Sequence, residues 1–461
     1  MTYANDTIAA VSTPPGRGGI GIVRLAGPEA KTIVEGMVRL RRPLAPGGAR
    51  FAEVLEAGTE AVLDQAVITW FAAPNSYTSE DVVEIAAHGS PVLLDAVLRQ
   101  CLEAGARLAE PGEFTERAFL SGRLDLTQAE AVQGLIEATT LQQARTAAQQ
   151  MGGGLSRQIA PVKRSLIELI AALEAGIDFA EDDLDLMPDD EICRRINAVA
   201  SPLALLAESF AYGRLLREGF RLAIVGRPNA GKSSLFNRLI GRERSIVTAQ
   251  AGTTRDTVAE RLELSGIPVE MVDTAGLRDV AASGAALDEA ESLGVTRSRE
   301  AMAEADVLLL IVAADEISGG TLHPEDREVI AGAAGRRLIV ALNKVDLVQD
   351  RPLALLPASS VPTSAIQSIG IAELRLAILG ALQAAPGVAE SVPVTNLRQQ
   401  TAITNALIAL RSAEQGLTEA TPHEMLLLDL HEALAALDLL TGTTHTEDIL
   451  EVIFGSFCIG K

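Results

Sequence analysis

Eight consecutive residues, Gly226-Arg-Pro-Asn229-Ala230-Gly231-Lys232-Ser233, match GxxxxGK[ST], and Ser234 follows. A glycine-rich loop of this spacing lets backbone N–H groups wrap a row of phosphates, and the following helix adds the positive end of its dipole. Lys232 supplies a point charge for the β- and γ-phosphates, and the Ser233 hydroxyl a ligand for Mg²⁺. Three further boxes follow in order. Gly252-Thr253-Thr254-Arg-Asp256 stands where a first switch belongs, with Thr254 as the second Mg²⁺ ligand. Asp273-Thr274-Ala275-Gly276 comes next; Asp273 suits Mg²⁺ through water, and the Gly276 N–H suits the γ-phosphate. In Asn343-Lys344-Val-Asp346 the Asp346 carboxylate can accept from N1 and the 2-amino group of guanine, which adenine cannot match. Thr363-Ser364-Ala365 fits the last base-contacting loop. Together the boxes read as a GTP-hydrolysing site that uses Mg²⁺.

Leu277 occupies the place where Ras-like GTPases put a water-orienting Gln. Water and transition-state charge must therefore be handled another way. Asn229 is a candidate ligand for a monovalent cation placed where an arginine finger's charge would act. Its bland reading is an amide that stabilises the loop.

The elements needed to position these residues are legible. Arg221 to Val225 is a short buried-strand run before the loop, and SLFNRLI continues as helix. Val269 to Val272 and Arg337 to Leu342 are strands that end at the next boxes. This is a Ras-like α/β P-loop domain, expected over 216–384. Upstream, Gly19 to Leu25, Ala66 to Phe71 and Asp81 to Ala86 are β-branched runs bounded by turn residues, and His88 to Cys101 reads as a helix. An α+β domain is expected over 1–120. From Leu124 helical periodicity runs to Met151, with Thr127 and Glu130 at capping-box spacing, and Gly152 to Gly154 interrupt it. Helix resumes from Leu155 to Phe179, and again to about Arg214 after the acidic run Glu181 to Asp190, which reads as a solvated connection rather than a metal site. After a linker at Pro386 to Val394, Asn396 to Leu417 and Thr421 to Leu440 are helical, with Pro422 suited to a first helical position. The economical reading is one all-α domain, 121–215 and 385–461, into which the G domain is inserted.

Composition narrows the class. Of 461 residues, 61 are Asp or Glu against 39 Lys or Arg, for a net charge of −22. Such a chain repels nucleic acid at long range, so an RNA role needs a local basic patch or a basic partner. Three widely spaced cysteines, Cys101, Cys193 and Cys458, argue against a disulfide framework and a CxxC zinc site. No signal-peptide pattern opens the chain and no apolar run reaches membrane-spanning length, so a cytoplasmic enzyme without a membrane partner is expected.

Thr13 to Gly27 (TPPGRGGIGIVRLAG), Pro74 to Gly89 (PNSYTSEDVVEIAAHG), Leu108 to Val132 (LAEPGEFTERAFLSGRLDLTQAEAV), GRPNAGKSSLFNRL and the terminal Phe457 to Lys461 (FCIGK) resemble the MnmE (TrmE) family of bacterial tRNA-modification GTPases. The G boxes identify a GTPase class; the N-terminal strings and the tail identify the family. The resemblance implies an N-terminal domain that binds folate and forms a homodimer, a helical domain and an inserted G domain. It assigns folate contacts to Arg24, Glu84, Arg123 and Lys461, with Arg123 where Lys is common in the family. The one-carbon donor would be 5,10-methylenetetrahydrofolate or 5-formyltetrahydrofolate. With an FAD-dependent, MnmG-like partner, such a protein installs an aminomethyl or carboxymethylaminomethyl group at carbon five of the wobble uridine of tRNA. The resemblance also implies K⁺-dependent pairing of G domains. It places K⁺ on Asn229, Thr248, Gln250 and Thr253 and nucleotide contacts along Thr248-Ala249-Gln250-Ala251-Gly252-Thr253-Thr254. Glu291 becomes the water-positioning carboxylate, joining Lys232, Thr254 and Gly276 in catalysis; the Ala-rich stretch before it, Ala281 to Leu287, is longer than the family leads one to expect. Read without the resemblance, Glu84 is a strand-edge surface charge. Cys458 is either a reactive thiol or a small apolar contact in a docked tail.

Two other functions compete. A ribosome-assembly GTPase shares the boxes and the loop Asn, but predicts an RNA-binding appendage with GXXG in a basic context, which this acidic chain lacks. A stand-alone folate-dependent methyltransferase leaves the G domain unexplained.

Overall fold

The structure, a computed structural model, describes residues 6–178, 187–240, 259–273, 303–317, 321–333, 335–348, 360–382, 392–443, 450, 453–455 and 457–460; at 178, 240, 259–262 and 273 only the backbone is described. Thr248 to Thr254, Thr274 to Gly276, Leu277, Glu291 and Lys461 lie outside these residues. The chain divides into two compact units: 1–133 with 150–182 and 421–461, and 134–149 with 183–420.

The first unit is built on a seven-stranded sheet of order β3-β4-β5-β6-β2-β1-β7. Its elements are β1 (Ile8–Val11), β2 (Gly18–Ala26), α1 (Ala30–Met37), β3 (Val38–Leu40), β4 (Ala49–Leu55), β5 (Val62–Phe71), β6 (Val82–Gly89), α2 (Pro91–Glu103), β7 (Arg107–Leu108) and α3 (Glu113–Leu120). Alternation along the strands sends Val23, Leu25, Ile68, Val83 and Ile85 to one core together with Ile33 and Val34 of α1 and Leu94 and Val97 of α2. Ile8, Ala10, Ala26 and Val82 pack with Phe114 of α3. The expected helix at His88 begins later. His88 and Gly89 extend β6, Ser90 is still extended, and Pro91 opens the helix, because proline's fixed φ suits a first turn.

Helix α4 (Leu126–Glu137) starts with a reciprocal box two residues before the expected one. Gln128 N donates to Asp125 Oδ1 at 2.9 Å, and Asp125 N donates to Gln128 Oε1 at 2.9 Å. Thr127 is instead buried, bonded to Asp125 and Ser156. The helical run to Met151 is also not continuous. It breaks before α5 (Leu141–Met151), where Thr140 and Gln143 form a second reciprocal box. Within the first unit α6 (Gly154–Asp178) packs on α12 (His423–Thr441), tied by the Lys163–Asp438 ion pair and by His431 to Glu174 at 3.1 Å. Pro422 precedes α12 as its extended N-cap and is not its first helical residue.

The second unit holds a six-stranded sheet, β13-β12-β11-β8-β10-β9, parallel except at the β9 edge. Helix α7 (Asp189–Glu218) runs past Arg214 to Gly219 and leads directly into β8 (Phe220–Val225). Then follow α8 (Lys232–Ile240), β9 (Ala259–Leu264), β10 (Ile267–Asp273), β11 (Val307–Ala313), α9 (Pro324–Gly332), β12 (Leu338–Asn343), β13 (Ser360–Pro362) and α10 (Ile371–Ala381). β11 is buried along its whole length, as expected of a central parallel strand. After the sheet, α11 (Leu397–Thr418), capped by Asn396, packs along α7. The β9–β10 turn is fastened to the start of α5. Thr140 Oγ1 donates to the Gly266 carbonyl at 2.7 Å, and a Cβ at Gly266 (φ +88°) would sit 2.7 Å from that of Gln142.

Candidate functional site: a nucleotide cradle and a polar sheet face

The phosphate loop joins the end of β8 to α8, as the motif requires. Gly226 (φ +149°), Asn229 (φ +63°) and Gly231 (φ +90°) take positive φ, a curl that turns successive N–H groups inward. A Cβ at Gly226 would strike the Ile311 carbonyl and one at Gly231 the Asn343 amide, so both positions demand glycine. Lys232 is buried and donates to the carbonyls of Gly226 (2.8 Å) and Arg227 (2.7 Å), which holds its ammonium over the loop. Ser233 and Ser234 open α8 with exposed side chains, and Ala230 is buried beneath the loop. Asn229 is exposed and makes no side-chain hydrogen bond among the described residues, which does not support the loop-stabilising reading.

Asn343, at the end of β12, links three loops. Its Nδ2 donates to the Ala230 carbonyl at 2.9 Å, and its Oδ1 accepts from Ala365 N at 3.2 Å. Ser364 is fully buried and caps its own turn by accepting from Gln367 N. Arg238 on α8 holds the same turn through the carbonyls of Ala365 (2.7 Å) and Ile366 (3.2 Å). Lys344 adopts φ +63° and leads into the 3₁₀ turn Val345–Leu347 that carries Asp346. The described residues thus gather Asn229 to Ser234, Asn343 to Asp346, Ser364 and Ala365 around one cradle. The backbone of Asp273 closes β10 beside Ile224 of β8, bringing the third box to the same end of the sheet. Glycine backbone, a lysine, a hydroxyl and a carboxylate are the donor set that a Mg²⁺-bound guanine nucleotide needs. Arg227 and Arg238 were not singled out from sequence; an Arg inside a loop or helix carries no spacing signal of its own.

The first unit gathers a second polar group. Arg24 and Glu84 are direct cross-strand partners on β2 and β6, joined at 2.8 and 3.0 Å. β6 lies inside the sheet, between β5 and β2, so Glu84 is not a strand-edge charge. The Arg24 guanidinium stands 5.8 Å from the Tyr77 ring centroid and 5.7 Å from that of Phe114. Burial pushes the Tyr77 phenol up, while its bond to Thr115 and the charges of Arg24 and Arg123 oppose the rise. Exposed Arg123 is therefore within electrostatic reach of the same ring. The tail arrives here too. Phe454 and Phe457 are buried with Phe119 and Leu126, Ile459 bridges Pro111, and the Gly460 carbonyl lies 3.5 Å from Arg24 Nη1. Cys458 is exposed, and its carbonyl accepts from Gly112 N in the docked tail. A guanidinium pair, a carboxylate and aromatic rings fit a flat anionic heterocycle. Tyr77 lies within the Pro74–Gly89 segment, but nothing in its spacing marked it.

Among the described residues no helix is long and apolar enough to cross a membrane, and no cluster of His, Cys, Asp and Glu could hold a metal.

Residues 7–123 match the family model described as the GTP-binding protein TrmE N-terminus, and residues 126–458 the MnmE helical domain. The chain is 52% identical over 463 residues to the tRNA modification GTPase MnmE of Koribacter versatilis, covering 99% of each chain. It is 41% identical over 468 residues to the proteins of that name from Geobacter sulfurreducens and Pseudomonas fluorescens, covering 100% of each. The cradle, the sheet that carries it and these full-length likenesses agree: the chain is a GTP-hydrolysing enzyme and belongs to the MnmE family of tRNA modification GTPases.

Proposed function

We propose that this chain is the GTPase component of a complex that installs an aminomethyl or carboxymethylaminomethyl group at carbon five of the wobble uridine in tRNA. The one-carbon unit comes from 5,10-methylenetetrahydrofolate or 5-formyltetrahydrofolate, held by Arg24, Glu84, Arg123 and Lys461. The partner is an FAD-dependent, MnmG-like protein, and the chain itself works as a cytoplasmic homodimer. The observation that carries this reading is the meeting of Arg24, Glu84, Tyr77 and the C-terminal tail in one place. Glu84 can pair with the N–H and amino donors of a pterin, and the arginines with folate carboxylates. The −22 net charge leaves tRNA attraction to the partner or to a local patch. Domains 1–120, 121–215, 216–384 and 385–461 are read as folate-binding, helical, G and helical; the packing of α6 on α12 and of α7 on α11 supports an insertion.

In the G domain, Ser233 and Thr254 bind Mg²⁺, and Asn229 with Thr248, Gln250 and Thr253 binds K⁺. Glu291 positions water in place of a Gln. The exposed Asn229, which makes no side-chain hydrogen bond among the described residues, supports the K⁺ reading. Mass spectrometry of tRNA nucleosides from cells lacking this chain tests the function; unchanged wobble uridines would overturn it. Hydrolysis rates in K⁺ and Na⁺ at equal ionic strength test the cation, with faster turnover expected in K⁺ and the difference lost in Asn229→Ala.

A further inference from the structure

Two consecutive carboxylates follow β11 in the 3₁₀ turn Ala314–Glu316. Glu316 Oε2 accepts from Arg227 Nη1 at 2.6 Å, and Glu325 in the first turn of α9 lies 3.8 Å from Arg227 Nε. Arg227 directly follows Gly226 in the phosphate loop, and its carbonyl is one of the two that hold Lys232. One residue before Glu316, Asp315 Oδ2 accepts from Lys344 Nζ at 3.4 Å. Lys344 begins the stretch that ends in Asp346, and its left-handed φ of +63° is a conformation that a non-glycine residue keeps only under outside restraint. Neighbouring side chains of one short turn therefore grip two loops that face different parts of a nucleotide, the phosphates and the base. Asn343 makes a parallel, uncharged link between the same loops.

We infer that Asp315 and Glu316 are positioning residues for GTP binding: Glu316 sets the phosphate loop through Arg227, and Asp315 sets the guanine-reading loop through Lys344. The inference rests on the guanine-reading role given to Asp346. Both carboxylates act through cations. A loosened Lys344 lets Asp346 drift from the two donors of guanine, so base discrimination falls. A loosened Arg227 shifts the phosphate cradle and leaves base discrimination alone. All four side chains are between a quarter and two-fifths exposed, so each pair is a modest, salt-sensitive interaction.

The full-length chain, its Asp315→Asn, Asp315→Glu and Glu316→Gln variants, and an Asp346→Asn control are titrated with fluorescent GDP and IDP at low and high salt. At low salt Asp315→Asn and Glu316→Gln each weaken GDP binding about two- to fivefold. Asp315→Glu recovers most of the loss. Only Asp315→Asn narrows the preference for GDP over IDP, which lacks the 2-amino group. In turnover KM rises while kcat holds. At ~1 M salt, where the screening length is about 3 Å, the variants converge on the parent. Unaltered GDP affinity in both variants at low salt overturns the inference. So does a loss that is equal at low and high salt and tracks a lower melting temperature, since the turn then serves only folding. If Asp346→Asn itself leaves GDP binding and base preference unchanged, it is the reading of Asp346 that fails.

Discussion

The main-chain carbonyl of Gly460 lies 3.5 Å from Nη1 of Arg24, a residue 436 positions earlier. Gly460 has φ +93°, and a Cβ there would come within 2.6 Å of the Val11 carbonyl at the end of β1. The tail can thus reach Arg24 only with glycine at this point. Deleting residues 457–461, or the milder Gly460→Val, is expected to weaken 5-formyltetrahydrofolate binding while GTP affinity stays near normal. Calorimetry with both ligands decides it. Unchanged folate affinity would assign the tail to the partner or the tRNA instead.

Asn343→Ala removes the amide that joins the phosphate loop to the last base-contacting loop. The Ala230 carbonyl and the Ala365 N–H each lose a partner in buried surroundings. Each such loss costs about 1–3 kcal/mol. GDP affinity should fall at least about tenfold, by the equivalence of 1.4 kcal/mol to a decade. Stopped-flow dissociation of a fluorescent nucleotide measures this, and the rise should lie mainly in the off-rate.

Gly266→Ala meets two obstacles together, a φ of +88° and a Cβ 2.7 Å from that of Gln142. The expected cost is about 1–3 kcal/mol in the unit that contains the G-domain sheet. Thr140→Val removes the hydrogen bond to the same turn without the clash, and should cost less. Thermal unfolding of the two variants gives the order, and a Thr140→Val change larger than the glycine change would contradict it.

Acid sensitivity should trace to one charged cluster in the first unit. Arg117 and Glu113 are nearly fully buried and 2.8 Å apart, Arg107 bonds Glu113 at 2.6 Å, and Asp6 bonds both arginines. Burial alone would raise both carboxyls, but the Arg107 and Arg117 guanidiniums hold Asp6 and Glu113 below their ordinary 3.8 and 4.5. As pH falls, the unfolded chain takes up protons first. The stabilisation is therefore complete above those ordinary values and is lost as pH drops through the lower folded ones. Arg117→Met leaves Glu113 less compensated and should cost about 3–5 kcal/mol near neutral pH. It should also flatten the acid limb of a stability–pH curve. An acid limb of unaltered slope would place the sensitivity elsewhere.

Three of the G boxes were legible because each follows the end of a strand, so hydrophobic periodicity and motif reinforce each other at Val225, Asp273 and Asn343. The pairing of Arg24 with Glu84 was not legible. It depends on the register between β2 and β6, which side-chain period alone leaves open. Asp125 was overlooked as the cap of α4 because Thr127 and Glu130 have the same spacing, and only burial of Thr127 decides between them. Asp315 and Glu316 were not singled out from sequence, since their partners stand 29 and 89 residues away. The break before α5 was hidden by good helix formers on either side of Thr140.

The packing of α7 on α11 sets a schedule for folding during synthesis. α7 ends at Glu218, and its partner begins only at Leu397. At roughly 5–20 residues per second, ~180 residues of intervening chain take about 9–36 s to emerge. For that interval α7, whose Ile192, Ile196, Val199 and Leu203 are all buried in the finished protein, waits without the helix that packs along it. The same delay applies to α6 and α12, whose separation is longer still. The nascent helices are thus high in contact order although each is local in itself. A ribosome-bound chain stalled before residue 397 should present an apolar helical stripe to chaperones while its nucleotide-binding sheet is already complete.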